Sequence, residues 1–143
     1  MALSANKKRS VKAPNLAVKE TILLADSQTV YEGALININA SGLALVASDT
    51  ASEVSAGVAV AAVSSGTSNS TKFVTVERGQ TEWFVKGAGI TVADIGAAAV
   101  VTDDAVVTDA GAGTNDVKVG RIVAVETIDG TAGCWVEVGK AVM

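Results

Sequence analysis

Apolar and polar positions alternate in short runs from Thr21 to the end of the chain. In one run Ile36 and Ile38 alternate with Asn37 and Asn39. Because successive side chains of a strand point to opposite faces of a sheet, this period of two predicts half-buried β-strands. The predicted strands are Thr21–Leu24, Thr29–Tyr31, Ala34–Asn39, Leu43–Val46, Gly57–Val63, Lys72–Arg78, Thr81–Val85, Val100–Thr102, Ala105–Thr108, Lys118–Glu126 and Cys134–Val138.

Turn-forming residues separate these runs. Ala40-Ser41-Gly42 and Asp129-Gly130 predict hairpins, and Arg78-Gly79-Gln80 predicts a third tight connection. The polar stretches 64–71 and 109–116 predict loops.

Helical signals are almost absent from the sequence. Only Thr91–Ile95 is a candidate, as a single turn that Thr91 would cap. No repeat of fixed period is evident. The pattern predicts an all-β chain: a small β-barrel or β-sandwich-like body with an extended N-terminal arm and at most one short helical turn.

Charge divides the chain into two parts. Residues 1–19 contain five of the eleven lysines and arginines and no acid, whereas residues 20–143 contain all fifteen acids. We therefore predict a basic N-terminal arm over 1–19 and a single β-rich domain over 20–143. Such an arm could dock on an acidic protein surface, bind nucleic acid or remain solvated. The acidic body disfavours nucleic acid, because it would repel the phosphate backbone.

The arm contains both apolar and basic side chains that could contact a partner. We expect docking to involve Leu3, Lys7, Lys8, Arg9, Val11, Lys12, Pro14, Leu16 and Lys19.

Composition argues against catalysis. The chain has no histidine and a single cysteine, Cys134, so neither a Ser-His-Asp nor a Cys-His site can form within it. We expect a non-enzymatic protein without cofactor or metal, and a buried Cys134. The apolar fraction is 49%, but no run reaches the ~20 residues of a membrane-spanning helix, so no membrane contact is expected.

One group of oxygen-bearing side chains could in principle hold calcium. Asp103, Asp104, Asp109, Asn115 and Asp116 offer the oxygen ligands that calcium prefers, but without EF-hand spacing. Acids in turns more often cap backbone amides, and we expect that role here. The aromatic residues are expected in the core or at an interface: Tyr31, Phe73, Trp83, Phe84 and Trp135.

Several short motifs resemble those of the capsid decoration, or cement, proteins of tailed bacteriophages. The opening MALSANKKR and the segment VYEGALININASGLALVASDT are similar to that family, and Gly57-Val58-Ala59 follows them. The resemblance continues through Asp94-Ile95-Gly96, Thr102-Asp103-Asp104 and Val119–Val123 to Trp135–Val138.

This resemblance implies a head-stabilising structural protein, made in the host cytoplasm, that binds the outer face of the assembled capsid. Its partners would be the major capsid protein, whose subunits it would bridge, and other copies of itself in a homotrimer. Two other classes stay open: a β-domain adhesin or fibre-type module that recognises a host glycan, and a hydrolase.

Overall fold

The computed structural model describes residues 2–6, 11–12, 18–68 and 70–139. About 50% of the chain is strand and 2% is helical, which confirms the all-β prediction. The strands of the described residues are β1 Val11–Lys12, β2 Val18–Leu23, β3 Thr29–Val30, β4 Leu35–Ile38, β5 Ala44–Val46, β6 Val54–Ala59, β7 Val63–Ser64, β8 Phe73–Arg78, β9 Thr81–Lys86, β10 Ala98–Val101, β11 Val106–Asp109, β12 Lys118–Ile128 and β13 Thr131–Val138.

Most strands belong to two five-stranded rings. The second ring runs β9-β11-β10-β12-β13 and closes because β13 also pairs with β9. The first ring runs β2-β8-β6-β4-β5 and closes through a parallel bridge between Leu24 and Ala44. Strands β3 and β7 form a separate two-stranded sheet. Closing a sheet on itself removes most of its exposed edges.

The two rings have the same topology. In each ring, the first strand pairs antiparallel with the last strand. On its other edge, the first strand is parallel to the second strand of a hairpin. The first strand of that hairpin then pairs with the strand before the last. Strands β2, β4, β5, β6 and β8 therefore correspond to β9, β10, β11, β12 and β13.

Strand register corresponds as well. In the first ring Leu35 pairs with Val58 and Ile36 with Gly57, and the register then shifts. In the second ring Ala98 pairs with Arg121 and Ala99 with Gly120, followed by a shift at the same place. The chain thus contains a structural duplication, although its sequence shows no repeat of fixed period.

Equivalent glycines explain part of this shared geometry. A Cβ on Gly57 would overlap the backbone carbonyl oxygen of Glu77, and a Cβ on Gly120 would overlap that of Glu137. Gly57 also has a φ of 139°, which residues with a side chain rarely adopt. Each ring therefore needs a glycine where these two strands approach closely.

The rings share part of their hydrophobic core. One cluster lies within the first ring, around Leu24, Ile36 and Val76. The other fills the second ring and also includes Leu35 and Val58 from the first. Burying this common apolar surface stabilises the contact between the two rings.

Polar contacts also join the rings. The amide of Leu35 donates to the carbonyl oxygen of Asp104 at 2.8 Å. The Asp49 carboxylate accepts from the amides of Thr114 and Asn115 at 2.7 and 2.9 Å.

Local predictions were accurate for turns and less so for strand boundaries. Both predicted hairpins are present, between β4 and β5 and between β12 and β13. A 3₁₀ turn at Val92–Asp94 is capped by Thr91, as predicted. The predicted strand Gly57–Val63 was wrong in extent, because β6 ends at Ala59 and Val63 begins β7. Strand β2 begins at Val18, inside the segment that we had assigned to the arm.

Candidate docking surfaces

The segment 2–6 lies against the body. The Leu3 amide donates to Oδ1 of Asp104 at 2.9 Å, and Oδ1 of Asn6 accepts from the amide of Glu32 at 2.9 Å. The Leu3 side chain packs against the core cluster of the first ring. Since Asp104 belongs to the second ring region and Glu32 to the first, this segment connects the two.

A shallow groove runs beside this segment. Its volume is about 510 Å³, and residues 2–6 form one wall. The other wall comes from the second ring: Val85, Ala105, Val106 and Thr131. The lining is mostly apolar. Its polar side chains are Ser4, Asn6 and Thr131, and none of the described lining residues is acidic or basic.

Strand β1 extends the second ring. Val11 pairs with Glu82 and Lys12 with Thr81, antiparallel to β9. On the opposite edge, β9 pairs with β13 over residues 81–85. The predicted arm therefore supplies a short edge strand to the body.

The structure brings some of the predicted docking residues to the body and leaves others undescribed. Leu3 is docked as above, and for Val11 and Lys12 the structure describes the backbone pairing. Lys19 lies in β2, where its Nζ is 3.5 Å from Oε1 of Glu77 on the neighbouring strand. The remaining predicted docking residues, Lys7, Lys8, Arg9, Pro14 and Leu16, lie outside the described residues.

Three of the four aspartates considered for calcium cap backbone amides, as predicted, and the exception is Asp109, which accepts from the Thr108 hydroxyl. Oδ1 of Asp103 accepts from the amides of Ala105 and Val106 at 2.8 and 2.9 Å. The Asp116 carboxylate accepts from the Gly111 amide. Within the described ranges, no group of three or more acidic, histidine or cysteine residues is placed to hold a metal ion. Asp49 was not singled out from the sequence, because its partners lie far along the chain.

Cys134 is fully buried in the core of the second ring, as expected. Burial raises the pKa of its thiol from 9.0 to about 11, and Lys86 opposes that rise in part. A thiol in this setting is almost entirely protonated at neutral pH and is a poor nucleophile.

The aromatic residues differ in burial, and Tyr31 is half-buried. Trp83, Phe84 and Trp135 are buried, and both indole nitrogens donate to Glu126, that of Trp83 to the backbone oxygen and that of Trp135 to the carboxylate. Phe73 is instead 57% exposed on β8. Large apolar side chains are also exposed at Val18, Val54, Val92 and Ile95.

No protein-family model, curated protein or solved structure matches this chain. Among the residues that the structure describes, no helix has the length and hydropathy needed to cross a membrane.

Proposed function

We propose that this chain is a structural virion protein that binds the outer surface of an assembled phage capsid and stabilises it by bridging capsid subunits. The resemblance of motifs to the cement family along most of the chain is the origin of this proposal. The observation that supports it most is the placement of the N-terminal segment. This segment adds an antiparallel strand to β9 and contacts both rings, so it is suited to completing sheets.

The proposed mechanism combines many modest contacts. The basic residues of the arm would pair with acids on the capsid or on a neighbouring copy. Exposed ion pairs contribute only about 0.2–1 kcal/mol each, so apolar and backbone contacts of the same segment must contribute as much. Each unit would hold adjacent capsid subunits together, and the copies together would oppose the internal pressure of packaged DNA.

Self-association is part of the same proposal. The family resemblance suggests a homotrimer at three-fold positions of the shell. A closed trimer presents three copies of the same binding surface to the shell. The three copies increase the effective affinity without new kinds of contact.

Truncation of the arm tests the proposal. Because β2 begins at Val18, a variant lacking residues 1–17 retains every strand of both rings. We expect it to fold and to bind undecorated capsids much more weakly than the full chain. A variant with Lys7, Lys8 and Arg9 replaced by Gln should lose binding only in part, to an extent that high salt imitates.

The assay measures bound copies per capsid and the temperature of capsid disruption. Lys72→Gln, which removes one positive charge from the body, is the matched control. If the full chain neither binds nor stabilises the capsids, the proposed function is wrong. If the truncated chain performs as well as the full one, the function stands and the role of the arm is wrong.

A further inference from the structure

Comparison of the two rings reveals an open strand edge in the first ring. The equivalent edge in the second ring is covered by another strand. Strand β9 carries β1 on the edge opposite β13, at Thr81 and Glu82. Strand β2 occupies the equivalent place in the first ring. Among the described residues, β2 pairs only with β8 along Val18–Leu23, and its other edge has no strand partner before the bridge at Leu24.

The open edge lacks two of the features that usually prevent edge-to-edge association, proline and a β-bulge. Its six residues contain no proline, and its register with β8 is continuous, without a bulge. Val18 is 49% exposed, and Lys19 and Thr21 are exposed beside it. An edge strand of this kind presents a row of backbone donors and acceptors to another strand.

Charges on this strand are already paired within the sheet. Lys19 contacts Glu77, and Glu20 contacts Arg78, both on β8. A second copy approaching the edge would therefore meet paired charges rather than a row of like charges. Lysine on an edge strand normally discourages pairing, and its pairing with Glu77 weakens that effect.

We propose that the β2 edge is an interface between two copies of this chain, in which β2 of each copy pairs antiparallel with β2 of the other. A two-fold axis perpendicular to the sheet relates the strands, so each supplies to its partner the same backbone groups that it receives. The pairing joins the first ring of one copy to the first ring of the other in a continuous sheet, and it covers Val18. β1 shows on β9 that the equivalent edge accepts an antiparallel strand.

This inference does not depend on capsid binding. The two-fold contact is also distinct from the three-fold assembly that the family resemblance suggests, and it can be measured on the purified protein alone.

The test combines sedimentation equilibrium with hydrogen exchange over a range of protein concentrations. Thr21→Lys places an unpaired charge close to the axis, and Thr127→Lys makes the same change at an exposed position of β12. We expect the wild type to associate in pairs and the amides of residues 18–23 to become more protected as concentration rises. Thr21→Lys should weaken the association by roughly tenfold or more, and Thr127→Lys should leave it unchanged.

Three results would overturn the proposal. The first is a wild type that stays monomeric at roughly millimolar concentration, which corresponds to an interaction weaker than about 4 kcal/mol. The second is association that Thr21→Lys leaves intact. The third is association, as a trimer or otherwise, without added protection of residues 18–23. The exchange measurement on the wild type decides the question even if Thr21→Lys fails to fold.

Discussion

Gly57 and Gly120 show how a single residue type fixes the geometry of each ring. Both lie where the strand before the last passes the last strand, against the carbonyl oxygens of Glu77 and Glu137. A Cβ at either position would force two backbones apart, and backbone cannot give way as a flexible side chain can.

Replacing Gly120 by Ala should therefore destabilise the protein by about 2–4 kcal/mol, because the added methyl group meets backbone. Gly66→Ala is the matched control, since a Cβ there has no neighbour within 4 Å. Its effect should stay within about 1 kcal/mol and could be stabilising. Equal midpoints of urea unfolding for the two variants would contradict this account.

Ionisation of the Cys134 thiol should lower the stability of the protein at alkaline pH. The folded protein holds the thiol pKa at about 11, above the ordinary value of 9.0, so it favours the protonated form. The corresponding stability is fully present below pH 9 and is lost as the pH rises towards 11. The loss should reach about 2–3 kcal/mol.

Comparison with Cys134→Ala isolates this effect from tyrosine and lysine titration in the same range. The free energy of unfolding should fall more steeply between pH 9 and 11 for the wild type than for the variant. Parallel curves would show that the thiol is not held in its protonated form by burial.

At the scale of single residues, the sequence was informative wherever local chemistry decides the outcome. The burial of Cys134 and the capping by Asp103 and Thr91 follow from residue type and immediate neighbours. The exposure of Phe73 does not, because it depends on which face of β8 the fold leaves uncovered. The partners of Asp49 are equally inaccessible, since they lie on a loop far along the chain.

At the scale of elements, the alternation of apolar and polar positions located nearly all of the strands of the body. It could not locate β1, whose two residues carry no periodic pattern and are held by pairing with β9. It also could not show that Leu3 packs on the first ring, because a single apolar residue in a polar segment has no period.

Leu3 offers a test of whether the N-terminal segment is docked in the free protein. Leu3→Ala should lower the free energy of unfolding by about 1–2 kcal/mol, less than a fully buried leucine, because the side chain is only half-buried. Ser4→Ala, at an exposed neighbouring position, should have almost no effect. If both variants unfold together with the wild type, the segment is solvated rather than docked.

At the scale of the whole molecule, the chain is a pair of rings with one topology and a partly shared core. The duplication is not evident in the sequence, because few equivalent positions of the two rings have the same residue. Val76 and Glu77 match Val136 and Glu137, and the two close-approach glycines match, but most paired positions differ. Strand pairing constrains backbone register more strongly than it constrains side-chain identity, so the repeat is visible in the pairing.

The strand edges of the two rings also bear on the proposed function. The second ring already has its edge covered by β1, while the first ring keeps β2 open. A protein with one covered strand edge and one open strand edge can bind neighbouring subunits by pairing its open edge with one of their strands, without any active-site chemistry. The proposed bridging of capsid subunits would use such a body in many copies.

The proposed function is tested most directly by cryo-EM maps of phage particles from cells that express this chain, compared with particles from cells that do not. The account predicts additional density on the outer face of the shell, repeated at three-fold positions, into which the two rings fit. A shell that is identical in the two maps would contradict it, and so would density for this chain only at a tail fibre, where the glycan-binding alternative would place it.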